Sequence, residues 1–201
     1  MAKTVEFLFD FASPNAYLAW QVLPGIAQRQ GAEITILPCL LGGLFKLTNN
    51  QAPMLAFAGI KGKMASEMAE TQRFIRRHGI DRFAMNPHFP VNTVLIMRGL
   101  IAAQRLGVGA GYIAAVLTAM WEQGKAMADP AVVGGVLTEA GLDAAAILAA
   151  TQDQSVKDEL MARTQAAADR GAFGIPTCWV GEEMFFGKNT LWEVEEALGR
   201  G

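Results

Sequence analysis

The chain has 201 residues, with 17 Lys+Arg against 19 Asp+Glu and a formal net charge of −2 at pH 7. Apolar residues make up 52% and charged residues 18%, which excludes intrinsic disorder and suits one domain, or a small domain carrying an insertion. The balanced charge speaks against a nucleic-acid binder, and no run of about 18 apolar residues encodes a membrane span.

Residues 5–10 (VEFLFD) read as a strand with Val5, Phe7 and Phe9 on one side and Leu8 on the other, so both faces are expected to be buried. Glu6 and Asp10 fall in the first ten residues and no cleavage site follows, so no signal peptide is expected. Ser13-Pro14 is a cap residue followed by proline at the first helical position, and it opens a helix that Pro24 and Gly25 kink and Gly31 ends. Residues 34–37 form a second strand stopped by Pro38, which gives a β-α-β unit able to make a right-handed parallel crossover.

The middle of the chain is helical. A helix over 63–78 places Met64, Met68 and Ile75 near one face and ends in Arg76, Arg77 and His78 before Gly79. Further helices fit 92–106, 112–123, 130–140 (capped by Asp129), 143–150 and 155–170, the last with a capping box at Ser155. Strands return at 177–180 and 183–186 around a Gly181-Glu182 turn, and a closing helix starts at Thr190 with a second capping box. The order β-α-β, helices, β-β-α predicts an α/β fold whose sheet is split by a helical insertion. The predicted division is 1–45 with 171–201 for the sheet domain and 46–170 for the insertion.

Two local sequences carry chemistry. Asp10-Phe11-Ala12-Ser13-Pro14-Asn15-Ala16 sets a hydroxyl at a helix start, and Gly174-Ile175-Pro176-Thr177 puts an X-Pro step just before a strand. On these, and on the segments GGLFKLTNNQAP, NPHFPVNT and FGIPTCWVGEEMFFG, the chain resembles the glutathione-dependent branch of the thioredoxin-fold superfamily over essentially its whole length. More narrowly it is similar to the 2-hydroxychromene-2-carboxylate isomerases, with kappa-class glutathione transferases as close relatives.

The resemblance implies a thioredoxin-like fold, glutathione as cofactor and a small aromatic carboxylate as substrate, in a cytoplasmic homodimer. Thioredoxin-fold oxidoreductases carry a CxxC pair where this chain has Ser13-Pro14-Asn15-Ala16, so no dithiol cycle can run there. Ser13 is instead the expected catalytic group, its hydroxyl holding the thiolate of bound glutathione; its plain alternative is a helix cap worth about 1 kcal/mol. The Ile175–Pro176 bond is expected cis, with the Ile175 backbone pairing with the tripeptide. Phe186, Gly187, Lys188 and Asn189 would receive its γ-glutamyl end, Asn189 standing where the family has Asp. In a loop after the second strand, Lys46 would meet the substrate carboxylate and Asn50 the tripeptide. His88, between Pro87 and Pro90, would line the substrate site, with a loop-bracing role as its alternative.

Other readings carry less. His78 reads as a helix-end cation, and Lys61 and Lys63 as solvated charges. Two histidines and two cysteines, Cys39 and Cys178, far apart in the chain, give no metal-ligand spacing or disulfide scaffold and suggest a reduced protein. Cys178 reads as a small buried hydrophobe, and Trp20, Trp121, Trp192 and the methionines as core. No P-loop and no G-x-S-x-G elbow occurs. Alongside the isomerase stand a kappa-like transferase or peroxidase and a non-catalytic thioredoxin-like binding module.

Overall fold

The computed structural model describes residues 3–200. Strand β1 (Lys3–Phe9) lies inside a four-stranded sheet of order β2-β1-β3-β4. It pairs in parallel with β2 (Ala32–Pro38) and antiparallel with β3 (Thr177–Val180), which pairs antiparallel with β4 (Glu183–Phe186). A strand flanked on both edges and covered on both faces needs apolar side chains throughout. Val5, Phe7 and Phe9 are accordingly fully buried, and Leu8 nearly so.

Between β1 and β2 the chain forms two helices, α1 (Pro14–Trp20) and α2 (Leu23–Gln30), rather than one kinked helix. Pro24 sits in the first turn of α2, where its missing N–H is harmless, and Gly31 closes α2 with φ +62°. Pro38 belongs to β2 rather than stopping it, since β2 is an edge strand and its end tolerates a residue with no donor.

Between β2 and β3 the chain carries α3 (Leu41–Thr48), α4 (Pro53–Ala56), α5 (Lys63–His78), α6 (Val94–Arg105), α7 (Gly109–Trp121), α8 (Pro130–Glu139), α9 (Ala144–Ala150) and α10 (Gln154–Asp169). Helix α10 packs on α3, α6 and β2, while α11 (Leu191–Arg200) packs on α2, β1 and β3. Among the described residues no helix is long and apolar enough to cross a membrane.

Several expectations need correction. Lys46 lies on α3 and not in a loop: Asp10 accepts from Leu41 N at the helix start, which offsets the cost of Gly42 and Gly43, and the chain turns only at Asn49, at φ +53°. Trp192 is exposed, as are Met54, Met68, Met85, Met161 and Met184, so none of these belongs to the core; on α5 only Phe74 is buried. Ser155 sits inside α10 and accepts from Arg105 Nη1 at 3.0 Å, the cap position falling to Asp153. Thr190 Oγ1 donates backward to the carbonyls of Gly187 and Phe186 instead of capping α11.

The core of the insertion reaches the sheet through aromatic rings. Trp121, fully buried on α7, donates from Nε1 to the Phe11 carbonyl at 3.0 Å, and the Phe11 ring meets Phe9 edge-on. Tyr112 packs against Phe11 and donates to the Ile96 carbonyl of α6 at 2.9 Å, an approach that requires Gly99 to have no side chain. A Cβ built on Gly99 overlaps the Tyr112 hydroxyl and lies 2.8 Å from its Cζ. We therefore expect Gly99→Ala to cost about 2 kcal/mol in denaturant unfolding, overpacking outweighing the better helix propensity of alanine; an unchanged midpoint would contradict this packing.

Candidate active site

The β1–α1 turn is built from main chain. Ser13 N donates to the Asp10 carbonyl at 3.2 Å, and Ser13 takes an extended conformation (φ −95°, ψ 112°) that lets its Oγ accept from Ala16 N at 3.1 Å. This is an ordinary N-cap. The same oxygen also donates its single proton to the Ile175 carbonyl at 2.9 Å, across 162 positions of sequence. Ser13 is 4% exposed and Ile175 6%, so the bond runs in a nearly dry place.

The segment that presents Ile175 is held tightly. The Ile175–Pro176 bond is cis, Thr177 Oγ1 donates to the Gly174 carbonyl at 2.8 Å, and Gly187 N donates to the Pro176 carbonyl at 2.9 Å. A Cβ on Gly174 would come within 2.7 Å of the Phe186 ring, so the close approach needs glycine. Phe186 also meets Phe173 at a centroid distance of 4.5 Å, and both rings are partly exposed. Asn50 reaches the same segment from beyond α3: its Nδ2 donates to the Phe173 carbonyl at 2.8 Å. The fold thus gathers Ser13, Asn50, Ile175, Phe186 and Gly187 around one cis-proline turn.

Lys188 behaves differently from the expectation. Its side chain is 4% exposed, forms an ion pair with Glu70 of α5 and lies 5.3 Å over the Phe74 ring. Its charge is thereby already matched within the chain. Asn189 beside it is exposed, its Oδ1 3.4 Å from the Lys188 ammonium.

One cleft borders the β1–α1 turn and a second adjoins it. One, of about 330 Å³, is lined by Asp10, Ala12, Leu41, Phe45, Phe89 and Thr93 among others. The other, of about 510 Å³, is lined by His88, Ala126, Ala128 and Asp129 and shares Pro90, Val91 and Asn92 with the first. His88 therefore borders a neighbouring cleft, while Lys46 is exposed on α3 and lines neither.

Sequence reasoning passed over Asp10 and Glu70. Asp10 is fully buried, and burial pushes its carboxyl above the usual range against the lowering effect of hydrogen bonds from Ala12, Leu41 and Thr93. Its position at the end of a buried strand, one step before the turn that carries Ser13, was the available signal.

Neither cysteine can serve as a thiolate at neutral pH. Burial, reinforced by the Asp10 charge, pushes the Cys39 thiol up to about 12, and burial alone does the same for Cys178.

The profile of the DsbA-like thioredoxin domain matches residues 4–199. The chain belongs to the DsbA-like thioredoxin family. It is 28% identical to a 2-hydroxychromene-2-carboxylate isomerase of Pseudomonas putida, over 98% of this chain and 94% of that one. It is 24% identical to human glutathione S-transferase kappa 1, over 99% and 92% of the two chains. A solved structure of a selenomethionine 2-hydroxychromene-2-carboxylate isomerase superposes with a TM-score of 0.84 at 28% identity, covering 98% of this chain and 95% of that one. This DsbA-like chain has a serine at the start of α1 and a cis-proline just before β3.

The Lys188–Glu70 pair generates an asymmetric prediction, because removing one member of a buried pair strands the other charge. Glu70→Ala, which strands the more buried ammonium, is expected to lose about 3 kcal/mol in denaturant unfolding. Lys188→Met, which leaves the half-buried carboxylate able to reach water, should lose clearly less. Equal losses would mean that stranded charge is not what the pair protects against.

Proposed function

We propose that this protein is a glutathione-dependent isomerase that interconverts 2-hydroxychromene-2-carboxylate and trans-o-hydroxybenzylidenepyruvate, a step in the breakdown of naphthalene-type aromatics, working as a cytoplasmic homodimer. The observation that carries the reading is the Ser13 hydroxyl, poised at a helix start against the Ile175 carbonyl in a chain whose own thiols are kept protonated. The name of the Pseudomonas putida relative supports the same reaction, and that of human glutathione S-transferase kappa 1 supports glutathione as the thiol.

The donor set fits a peptide thiol. Ser13 offers one proton, now given to the Ile175 carbonyl, and one oxygen already bound by Ala16 N. Turning that proton toward a sulfur anion frees the Ile175 carbonyl to accept a peptide N–H, so one rotation prepares both ends of the contact. The Phe186-Gly187-Lys188-Asn189 turn takes the γ-glutamyl end, with Lys188 braced by Glu70 and Asn189 offering neutral hydrogen bonds where the family has an acid. Asn50 keeps the Phe173 carbonyl, and with it the approach to Ile175, in place.

Bound glutathione would supply the nucleophile that the chain lacks: its reversible addition to the conjugated acid would leave a single bond free to rotate, and expulsion of the same sulfur would restore the double bond. The apolar cleft beside Ala12 accepts the aromatic ring, with His88 at its neighbouring rim and Lys46 outside it as a long-range attraction for the carboxylate. In this reading the turns around Ser13 and Pro176 hold the cofactor, while the substrate walls come from both parts of the predicted division, Ala12, Leu41 and Phe45 from 1–45 and Phe89 and Thr93 from 46–170.

The likeness to human glutathione S-transferase kappa 1 favours a second reading, a kappa-like transferase or peroxidase that uses the same Ser13 site on another electrophile. A steady-state assay on the chromene with and without glutathione separates the two. The isomerase reading requires turnover only with glutathione. Ser13→Ala is expected to lower kcat by about 10²-fold or more, the usual scale for losing a donor to developing charge, while costing stability only about 1 kcal/mol. Turnover without thiol, or an active Ser13→Ala variant, overturns it, and glutathione binding with no chromene turnover points to the transferase.

A further inference from the structure

A fully buried carboxylate in the wall of the site remains to be accounted for. Asp10 Oδ1 accepts from Ala12 N at 2.9 Å and from Thr93 Oγ1 at 2.7 Å, and its Oδ2 accepts from Leu41 N at 2.7 Å. Its main-chain carbonyl accepts Ser13 N at 3.2 Å. One residue therefore joins the turn that carries Ser13, the first residue of α3 and the residue that precedes α6.

The join is not redundant. Leu40, at the cap of α3, has no side chain able to bind the helix, so Asp10 caps α3 from 31 positions upstream. Thr93 precedes α6 but gives its hydroxyl proton to Asp10 rather than capping its own helix. All three donors to the carboxylate are neutral, and a buried carboxylate held by neutral donors is a poor source of stability compared with a packed hydrophobe. What this arrangement provides is geometry. The segments it clamps, Ala12, Leu41 and Thr93, also wall the cleft of about 330 Å³ beside Ser13.

We propose that Asp10 is a positioning residue: its carboxylate clamps the starts of α3 and α6 to the β1–α1 turn and thereby aims the Ser13 hydroxyl at the bound sulfur. The proposal rests on the reading that Ser13 faces a glutathione thiolate. It makes a prediction of definite sign. As a bare negative charge near the site, Asp10 would make a neighbouring thiol less acidic, so removing the charge would lower the thiol pKa. As the residue that aims Ser13, it makes the thiol more acidic, so removing it raises that pKa.

The test is a pH titration of the ultraviolet thiolate absorbance of glutathione bound to the protein, carried out as a double-mutant cycle. In Asp10→Asn the side-chain oxygen can keep Ala12 and Thr93, but its amide meets the Leu41 N–H donor to donor. The bound-thiol pKa is expected to rise by about one unit, the scale of one hydrogen bond to a charged group. Thr93→Val, which removes a single bond at nearly constant shape, should move it the same way by less and serves where Asp10→Asn does not fold. In a Ser13→Ala background neither substitution should raise it further.

A pKa that falls in Asp10→Asn, stays put in both variants, or rises equally without Ser13 overturns the positioning role while leaving the functional reading intact. Glutathione that fails to bind the wild-type protein, or binds with the acidity it has in water, overturns both.

Discussion

The hydrogen bond from Ser13 to the Ile175 carbonyl is the constraint on which the site depends. It spans 162 residues, and the chain can make it only because β1 is paired with β2 on one side and β3 on the other. The end of β1 and the start of β3 then lie side by side, and the turns beyond them meet. Everything else near the site serves to hold those two turns at hydrogen-bond distance: the Asp10 carbonyl under Ser13, the Gly187 N–H on Pro176, and the glycine at 174 that lets Phe186 close in.

The inserted helices are part of that support. Trp121 holds the Phe11 carbonyl from α7, Tyr17 of α1 donates to Glu122 at 3.0 Å just beyond α7, and Asp10 ties in α3 and α6. The turn that carries Ser13 is thus bonded to the segment before β3 on one side and to α3, α7 and the start of α6 on the other. The charged contacts differ sharply in weight. Arg29–Glu195 and Arg200–Glu183 are exposed pairs that water and salt weaken, whereas Lys188–Glu70 is shielded and fixes α5 to the turn after β4. Helix α5 buries little else, Phe74 alone among its side chains.

The chemistry follows from what the chain withholds. A dithiol member of this fold places its own sulfur at the helix start; here that place holds a hydroxyl, and the two thiols the chain does own are buried until they resist ionisation. A helix start with a donor and no resident thiolate suits a thiol that arrives with a ligand, which is the basis of the proposed glutathione-dependent reaction.

Much of this was legible in local sequence. Alternating apolar residues gave β1, the Ser-Pro and Asp-Pro pairs gave the starts of α1 and α8, glycines at positive φ gave the ends of α2 and α5, and the two closing strands fell where their residues indicated. These signals act over a few residues, so a short window contains them. Lys46 was misplaced because nothing local distinguishes the weak helix α3, which Asp10 caps from the end of a different strand. Trp192 and Met68 were misread because their burial depends on what packs opposite, and nothing in the described chain covers them. The sequence alone determined that a hydroxyl stands at the first helix start and a proline precedes the third strand. That the hydroxyl faces the Ile175 carbonyl, that Lys188 turns to Glu70, and that Asp10 binds three segments at once were decided by tertiary structure, because each joins residues that only the folded sheet and its inserted helices bring within reach.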